Sequence, residues 1–221
     1  HEKHKRKTGF SKPESLLRLG SVFGGNASGK TNLMKALRVM QKLLAEGTHK
    51  GEKLPWRPFK LRPESRKNPS LIECILYLDG QLYTYGIVYN ERDIVEEWLY
   101  AQRPAAQERK LFERKTVNGE TKVSIGQSLT EKNYTPKVFQ MVAATTRQNQ
   151  PYLYELYQKN HEGIRPIVKW FTETLQLIPA VAQYRELTNR AIVDKEFINL
   201  LSKVLQKVDV GIKRLEPYER N

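Results

Sequence analysis

At 221 residues, with 39% apolar and 28% charged side chains, the sequence has the size and balance of one large or two small soluble domains with a buried core. No apolar run approaches the roughly 20 residues of a membrane span. The lone Cys74 excludes an internal disulfide, and no secretory signal is visible, so a cytoplasmic setting is expected.

The formal net charge of +14 permits nucleic acid or another acidic partner. Part of it is concentrated in His1-Glu2-Lys3-His4-Lys5-Arg6-Lys7, which reads equally as a solvated basic tail or as an anion contact. The chain opens on His1 in what reads as mid-loop sequence and closes at Tyr218-Glu219-Arg220-Asn221, just after the apparent start of a strand. Both ends read as those of a fragment.

The first predicted element is a short buried strand in Leu16-Leu17-Arg18-Leu19-Gly20-Ser21-Val22-Phe23. It leads into Gly24-Gly25-Asn26-Ala27-Ser28-Gly29-Lys30-Thr31, two glycines separated by four residues and followed by Lys and Thr, the pattern of a phosphate loop. From Thr31 to about Ala45 the chain reads as a helix with Leu33, Leu37, Met40 and Leu44 on one face. The order strand, loop, helix favours a phosphate loop over a glycine-rich turn that happens to match.

In such a loop the glycines let successive N–H groups converge on one anion-sized hollow, and the helix N-terminus adds donors and a positive dipole end. Lys30 then reaches the β- and γ-phosphates of ATP, and the Thr31 hydroxyl takes a position on Mg²⁺. The candidate cofactor-binding set is Gly24, Gly25, Asn26, Ala27, Ser28, Gly29, Lys30, Thr31 and Asn32, with Lys30 in the catalytic role and Thr31 the metal ligand.

From Glu46 to Asn68 the chain is irregular, punctuated by Gly47, Gly51, Pro55, Pro58 and Pro63 and kept wet by Lys and Arg. Trp56 and Phe59 read as pins to the body in preference to a platform for a nucleotide base. Alternating runs then predict a β-meander of about five strands: Leu71–Leu78, Leu82–Tyr89, about Ile94–Ala101, Lys110–Lys115 and Thr121–Ile125, with turns at Asp79-Gly80 and Asn118-Gly119. Ile75-Leu76-Tyr77-Leu78-Asp79 resembles a Walker B strand ending in a metal-binding Asp. Gly80 follows it where a hairpin turn belongs, so Asp79 is read as a turn residue.

The last third is helical. Thr135-Pro136 is a capped opening with proline at the first helical position. Gln150-Pro151 starts a short helix carrying Leu153, Leu156 and Tyr157. Ile167, Trp170, Phe171 and Leu175 repeat at helical spacing, and Asp194 caps a final helix with a stripe of Phe197, Leu200, Leu201, Val204, Leu205 and Val208. Gly211 ends that helix, and a strand begins in Ile212 to Tyr218. His1, His4, His49 and His161 have no zinc-like or triad-like companions at useful spacing.

The segment from Gly24 through Thr31 and on to Asn32-Leu33-Met34-Lys35-Ala36-Leu37 resembles the ABC-type ATPases related to RecF, SMC and the OLD proteins. More narrowly it is similar to the bacterial AAA-family ATPases of anti-phage and abortive-infection systems. Ile94-Val95-Glu96-Glu97-Trp98-Leu99-Tyr100, Leu111-Phe112-Glu113-Arg114 and Val208-Asp209-Val210-Gly211-Ile212 are also typical of that family. The resemblance implies an α/β fold, the P-loop lobe of an ABC-type head over residues 1–130 with its antiparallel β-subdomain, and an α-helical insertion over 131–221.

It further implies ATP and Mg²⁺ as cofactors, a homodimer or higher homo-oligomer that sandwiches ATP between heads, and an effector nuclease or toxin as partner, with nucleic acid a further partner. The family's serine-rich signature, its Walker B Asp with a catalytic Glu, its switch His and the strand before the basic loop are not found in the sequence. For the family's water-positioning Gln the candidates are Gln148 and Gln150, and the sequence does not choose between them.

Two other functions fit a phosphate loop. A GTPase needs an Asn-Lys-x-Asp motif, which the sequence lacks, and a kinase needs an acidic acceptor site where the proline-rich segment stands. A DNA-binding or scaffold module that senses nucleotide without turning it over fits the high positive charge.

Overall fold

The computed structural model describes residues 4–26, 28–59, 62–117, 119–130, 134–178, 185–207 and 214–216, with backbone alone for Glu64 and residues 185–188. Ala27, Asn118 and the segment from Val208 to Ile212, with its helix end at Gly211, lie outside them, as does most of the strand expected after it. The chain forms two compact units, His1–Leu177 and Ile178–Asn221.

The first unit is built on a five-stranded antiparallel meander in which each strand pairs with the next: β3 (Ser70–Leu78), β4 (Gln81–Tyr89), β5 (Ile94–Gln102), β6 (Arg109–Val117) and β7 (Glu120–Ile125). Two-residue periodicity sends Leu76, Tyr83, Tyr85, Ile87, Leu99, Phe112 and Val123 to one face, where they form the core. The turn between β3 and β4 places Asp79 at φ 49° and Gly80 at φ 78°, the paired left-handed conformations that let a two-residue turn follow the strand twist. Asp79 is thus a turn residue, exposed at the sheet end.

A smaller antiparallel pair joins β1 (Lys5–Lys7) to β2 (Ser15–Leu17). The basic stretch at residues 5–7 is therefore a strand, with the Arg6 guanidinium 5.6 Å from the Tyr77 ring centre. Phe10 in the connecting turn packs edge-on against the same ring.

The strand expected from Leu16 to Phe23 does not form as predicted. Strand β2 stops at Leu17, and Leu19, Val22 and Phe23 are 75%, 67% and 91% exposed. A strand exists only where a neighbouring backbone takes its N–H and C=O groups; the Arg18 N–H still reaches His4 O at 2.8 Å, and among the described residues no backbone bond follows for 19–23.

Helix α1 (Lys30–Ala45) follows the loop as predicted, but its apolar face is buried only in its second half. Met40, Leu43 and Leu44 are buried, whereas Leu33 and Met34 are 55% and 40% exposed. Helices α2 (Pro136–Thr145), α3 (Tyr152–Gln158) and α4 (Arg165–Lys169) complete the core layer, and α4 continues into one π-helical turn, Trp170–Thr174. The Gln41 side-chain amide of α1 donates to the carbonyls of Phe171 (2.9 Å) and Leu175 (2.8 Å), satisfying orphan acceptors at the end of that turn. Pro136 opens α2 as expected, but the Thr135 hydroxyl makes no cap bond.

The core carries one ion pair. Glu97 and Arg114 stand opposite each other on β5 and β6, both essentially unexposed, with Arg114 Nη1 3.5 Å from Glu97 Oε2. The Glu97 carboxylate also accepts the backbone N–H groups of Tyr152 (2.7 Å) and Leu153 (2.9 Å) and the Tyr85 hydroxyl (3.1 Å). It thereby serves as the N-terminal cap that Pro151 cannot supply to α3. Burial pushes the Glu97 carboxyl above its ordinary value, and Arg114 and the N–H donors pull it back. Burial likewise lowers Arg114, opposed by Glu97.

In the second unit, α5 (Arg185–Val193) and α6 (Lys195–Lys207) meet at Asp194. Its carboxylate caps α6 through Phe197 N (2.9 Å) and pairs with Arg190 at 3.3 Å, which holds it below the usual Asp range, chiefly through the Phe197 N–H. The buried row of α6 is Ile198 and Ser202, and the predicted stripe is partly open, with Leu200 57% and Val204 48% exposed. The reason lies in Ser202, whose hydroxyl accepts the Leu215 N–H at 3.1 Å and so seats that backbone on this side of the helix.

Truncating one partner of a buried ion pair strands the other charge, at a cost of about 3–5 kcal/mol. Glu97→Ala or Arg114→Ala is therefore expected to lower the thermal midpoint by roughly 10 °C. The double substitution should cost less than the two singles added, since both break one interaction; differential scanning fluorimetry of the cycle checks this. Asp79→Asn, which keeps the Asx-Gly turn chemistry, should shift stability by less than about 0.5 kcal/mol.

Candidate functional site

The glycine-rich loop folds back on itself ahead of α1. Ser28 N bonds Gly25 O at 3.3 Å, and Asn32 N and Leu33 N both reach Gly29 O, at 2.8 and 3.4 Å. Gly29 occupies the N-cap position at φ 94°, a left-handed conformation open to glycine at little cost. At Gly24 a Cβ would lie 2.6 Å from the Ser28 hydroxyl, so a side chain there would have to displace that hydroxyl.

Lys30 occupies the mouth of this curl. Its ammonium group donates to Gly24 O at 2.5 Å, to Gly25 O at 2.7 Å and to Ser28 Oγ at 3.3 Å. The lysine is pre-positioned over the loop backbone, in charge-assisted bonds to carbonyls that an anion with more negative charge can replace. With the N–H groups of Asn32 and Leu33 on Gly29 O, those of Lys30 and Thr31 stand ahead of any intrahelical acceptor. No acidic side chain stands in that turn, so nothing repels a phosphate there.

Gly24, Gly25, Asn26, Ser28, Gly29, Lys30, Thr31 and Asn32 are thus brought together at one exposed helix N-terminus. Ala27, the remaining member of the predicted set, lies outside the described residues. The loop fits a nucleotide's phosphates: a backbone curl, a helix N-terminus and one lysine converge. Among the described residues no three His, Cys, Asp or Glu side chains cluster to hold a metal. A divalent ion here would rest on the Thr31 hydroxyl and on the phosphates themselves.

The far end of α1 is held by a chain of bonds that the sequence did not reveal. Gln150 Oε1 accepts Thr48 N (2.6 Å) and Thr48 Oγ1 (2.5 Å). Asn149 Nδ2 donates to His49 O (2.9 Å) and Glu52 O (3.0 Å), and Arg147 Nη2 to Thr48 O (2.5 Å). The segment 147–150 is itself held by Arg114, which donates to the carbonyls of Arg147 (3.1 Å), Gln148 (3.2 Å) and Gln150 (2.5 Å). Glu97 is therefore connected, through Arg114 and residues 147–150, to the turn that ends α1.

This placement bears on the two glutamines. Gln150 is buried beside Thr48, three residues past a 16-residue helix, hence more than about 20 Å from the phosphate loop at 1.5 Å per residue. Gln148 bonds Gly119 O at the β6–β7 turn. Neither is brought to the loop. A sequence signal for the anchor did exist: Glu97 shares the inward row of β5 with Leu99 and Ala101, and an inward charge on each of two adjacent strands, opposite in sign, predicts a buried pair.

Trp56 is partly buried against the core, as expected of a pin, whereas Phe59 is 57% exposed and pins nothing. His161 is buried; its Nδ1 accepts Gly163 N at 3.1 Å, which leaves the proton on Nε2 to donate to Leu129 O at 2.9 Å. Among the described residues no helix is long and apolar enough to cross a membrane.

No curated protein and no solved structure matches the chain. A family model does, over residues 21–203, described as "AAA domain, putative AbiEii toxin, Type IV TA system". That span begins just before the phosphate loop and takes in the whole meander and the helices through most of α6. The chain therefore belongs to this family of AAA-domain, nucleotide-binding ATPases associated with abortive infection.

Proposed function

We propose that the protein is an ATP-binding and ATP-hydrolysing switch of the ABC type, related to RecF, SMC and OLD proteins, whose heads dimerise on ATP to control an anti-phage effector. The observation that carries the reading is the loop itself, with Lys30 bonded to Gly24 O and Gly25 O at the N-terminus of a helix anchored at its other end. Family membership supports the defence context, in which a nuclease or toxin is the controlled partner.

Bound Mg²⁺–ATP would supply the phosphoanhydride to be cleaved. The loop amides and the first turn of α1 would hold its phosphates, and Lys30 would exchange the loop carbonyls for the β- and γ-oxygens, neutralising charge where it develops. Thr31 would offer its hydroxyl to the metal. The signature serine of a second head and an acidic Walker B pair are expected to complete the site. In this reading residues 1–130 act as P-loop lobe and β-subdomain and 131–221 as the helical insertion, a division of role that cuts across the packing units at Leu177. A nucleotide-sensing scaffold on nucleic acid is the second reading, favoured by the net charge of +14.

Lys30→Ala removes the phosphate-neutralising charge and should weaken ATP binding by at least about tenfold, while leaving the thermal midpoint of the free protein unchanged because Lys30 is exposed. Titration with a fluorescent ATP analogue, paired with light scattering for the ATP-dependent dimer, measures both. Wild-type affinity in Lys30→Ala, or a strong preference for GTP, would refute the reading. Asp79→Asn should leave nucleotide affinity intact, because Asp79 is part of a turn.

A further inference from the structure

The excess of positive charge is unevenly placed. Between residues 30 and 67 there are eleven Lys and Arg against three Asp and Glu, +8 of the chain's +14. The carboxylates described there are already engaged. Glu46 and Glu52 lie 4.0 and 3.8 Å from Lys42, and Glu91 on the neighbouring turn lies 2.9 Å from Lys53. Arg38, Arg57, Arg62, Lys67 and Arg92 are exposed, and among the described residues no carboxylate lies within 4.0 Å of them.

These cations belong to one end of the first unit. The irregular segment leaves beside the β4–β5 turn, where Leu54 N bonds Glu91 O at 2.8 Å, and returns to it where Ser70 pairs with Tyr89. Arg57, Arg62 and Lys67 ride on that excursion, and Arg92 sits on the turn it brackets. Arg38 lies one helical turn before Lys42, on the same face of α1, and Lys42 reaches Glu52 at the root of the segment. In the same segment Phe59, two residues after Arg57 and three before Arg62 in sequence, is 57% exposed.

We propose that this surface binds single-stranded nucleic acid, with phosphates on Arg38, Arg57, Arg62, Lys67 and Arg92 and a base stacked on Phe59. Unpaired surface arginines cost little in isolation, but several on one end raise a local potential that a polyanion relieves by releasing counterions. An exposed aromatic in the same segment adds a contact that any unpaired base can use and a duplex cannot. The surface is distinct from the phosphate loop, since its segment attaches beyond the far end of α1.

The test is fluorescence anisotropy with a labelled dT20 and a duplex of equal length. Wild type should bind dT20 more tightly than duplex, with log K falling against log salt at a slope of about −3, as expected for four or five phosphate contacts. The triple substitution Arg57→Ala, Arg62→Ala, Lys67→Ala should weaken binding at least about tenfold and flatten the slope by about 2. An equal charge change on α6, Lys195→Ala, Lys203→Ala, Lys207→Ala, should leave affinity within about twofold of wild type. Phe59→Ala should weaken dT20 about fivefold and duplex hardly at all. Lys30→Ala should retain oligonucleotide binding while losing ATP, which separates this proposal from the nucleotide reading. No binding of dT20 at 50 mM salt, equal loss in the two triple variants, an unaffected Phe59→Ala, or loss of dT20 in Lys30→Ala would each overturn it.

Discussion

A pair of buried opposite charges sets the geometry of the first unit. Glu97 and Arg114 face each other across β5 and β6 with no solvent to share their charge, so each must be satisfied by protein groups. Glu97 meets that demand by capping α3, and Arg114 meets it in part, its Nη1 and Nη2 gathering the carbonyls of Arg147, Gln148 and Gln150 from the segment before that helix while its Nε stays without a partner among the described residues. One helix start and one loop are thereby fixed to the sheet at defined positions. Apolar packing alone, being non-directional, would hold them against the sheet without fixing their register.

The consequence reaches the glycine-rich loop indirectly. Residues 147–150, once held by Arg114, bond the turn that ends α1 through Thr48, His49 and Glu52. Met40, Leu43 and Leu44 bury the same half of the helix, and Gln41 ties it to the π-helical turn. The other half, with the phosphate loop at its tip, stands clear of the sheet. The helix behaves as a bracket, secured at its C-terminus and presenting its N-terminal donors to solvent. Exposed Leu19, Val22, Phe23, Leu33 and Met34 flank that tip.

Much of this was legible in the residues. The five strands appear within one or two positions of where alternation put them, and the Asp79-Gly80 turn and the α1 boundaries were read correctly, because each rests on local periodicity and turn chemistry. The misreadings share a cause. The strand expected over residues 16–23 pairs through Arg18 but finds no partner backbone beyond it among the described residues, the α6 stripe is turned by a hydrogen bond to Leu215, and Thr135 has the right residue type without the cap bond. Each depends on what the rest of the chain brings near, which a local pattern does not record.

By itself, the sequence determined the chemistry of the loop. Two glycines, a lysine and a threonine at fixed spacing ahead of a helix constrain the backbone curl and the placement of Lys30 over a few bonds, with no long-range contact required. Tertiary structure alone decided how that loop is presented and what supports it. Glu97 meets Arg114 across 17 residues and Tyr152 across 55, and Gln150 meets Thr48 across 102; such contacts exist only once the sheet has formed and solvent has been excluded from between them.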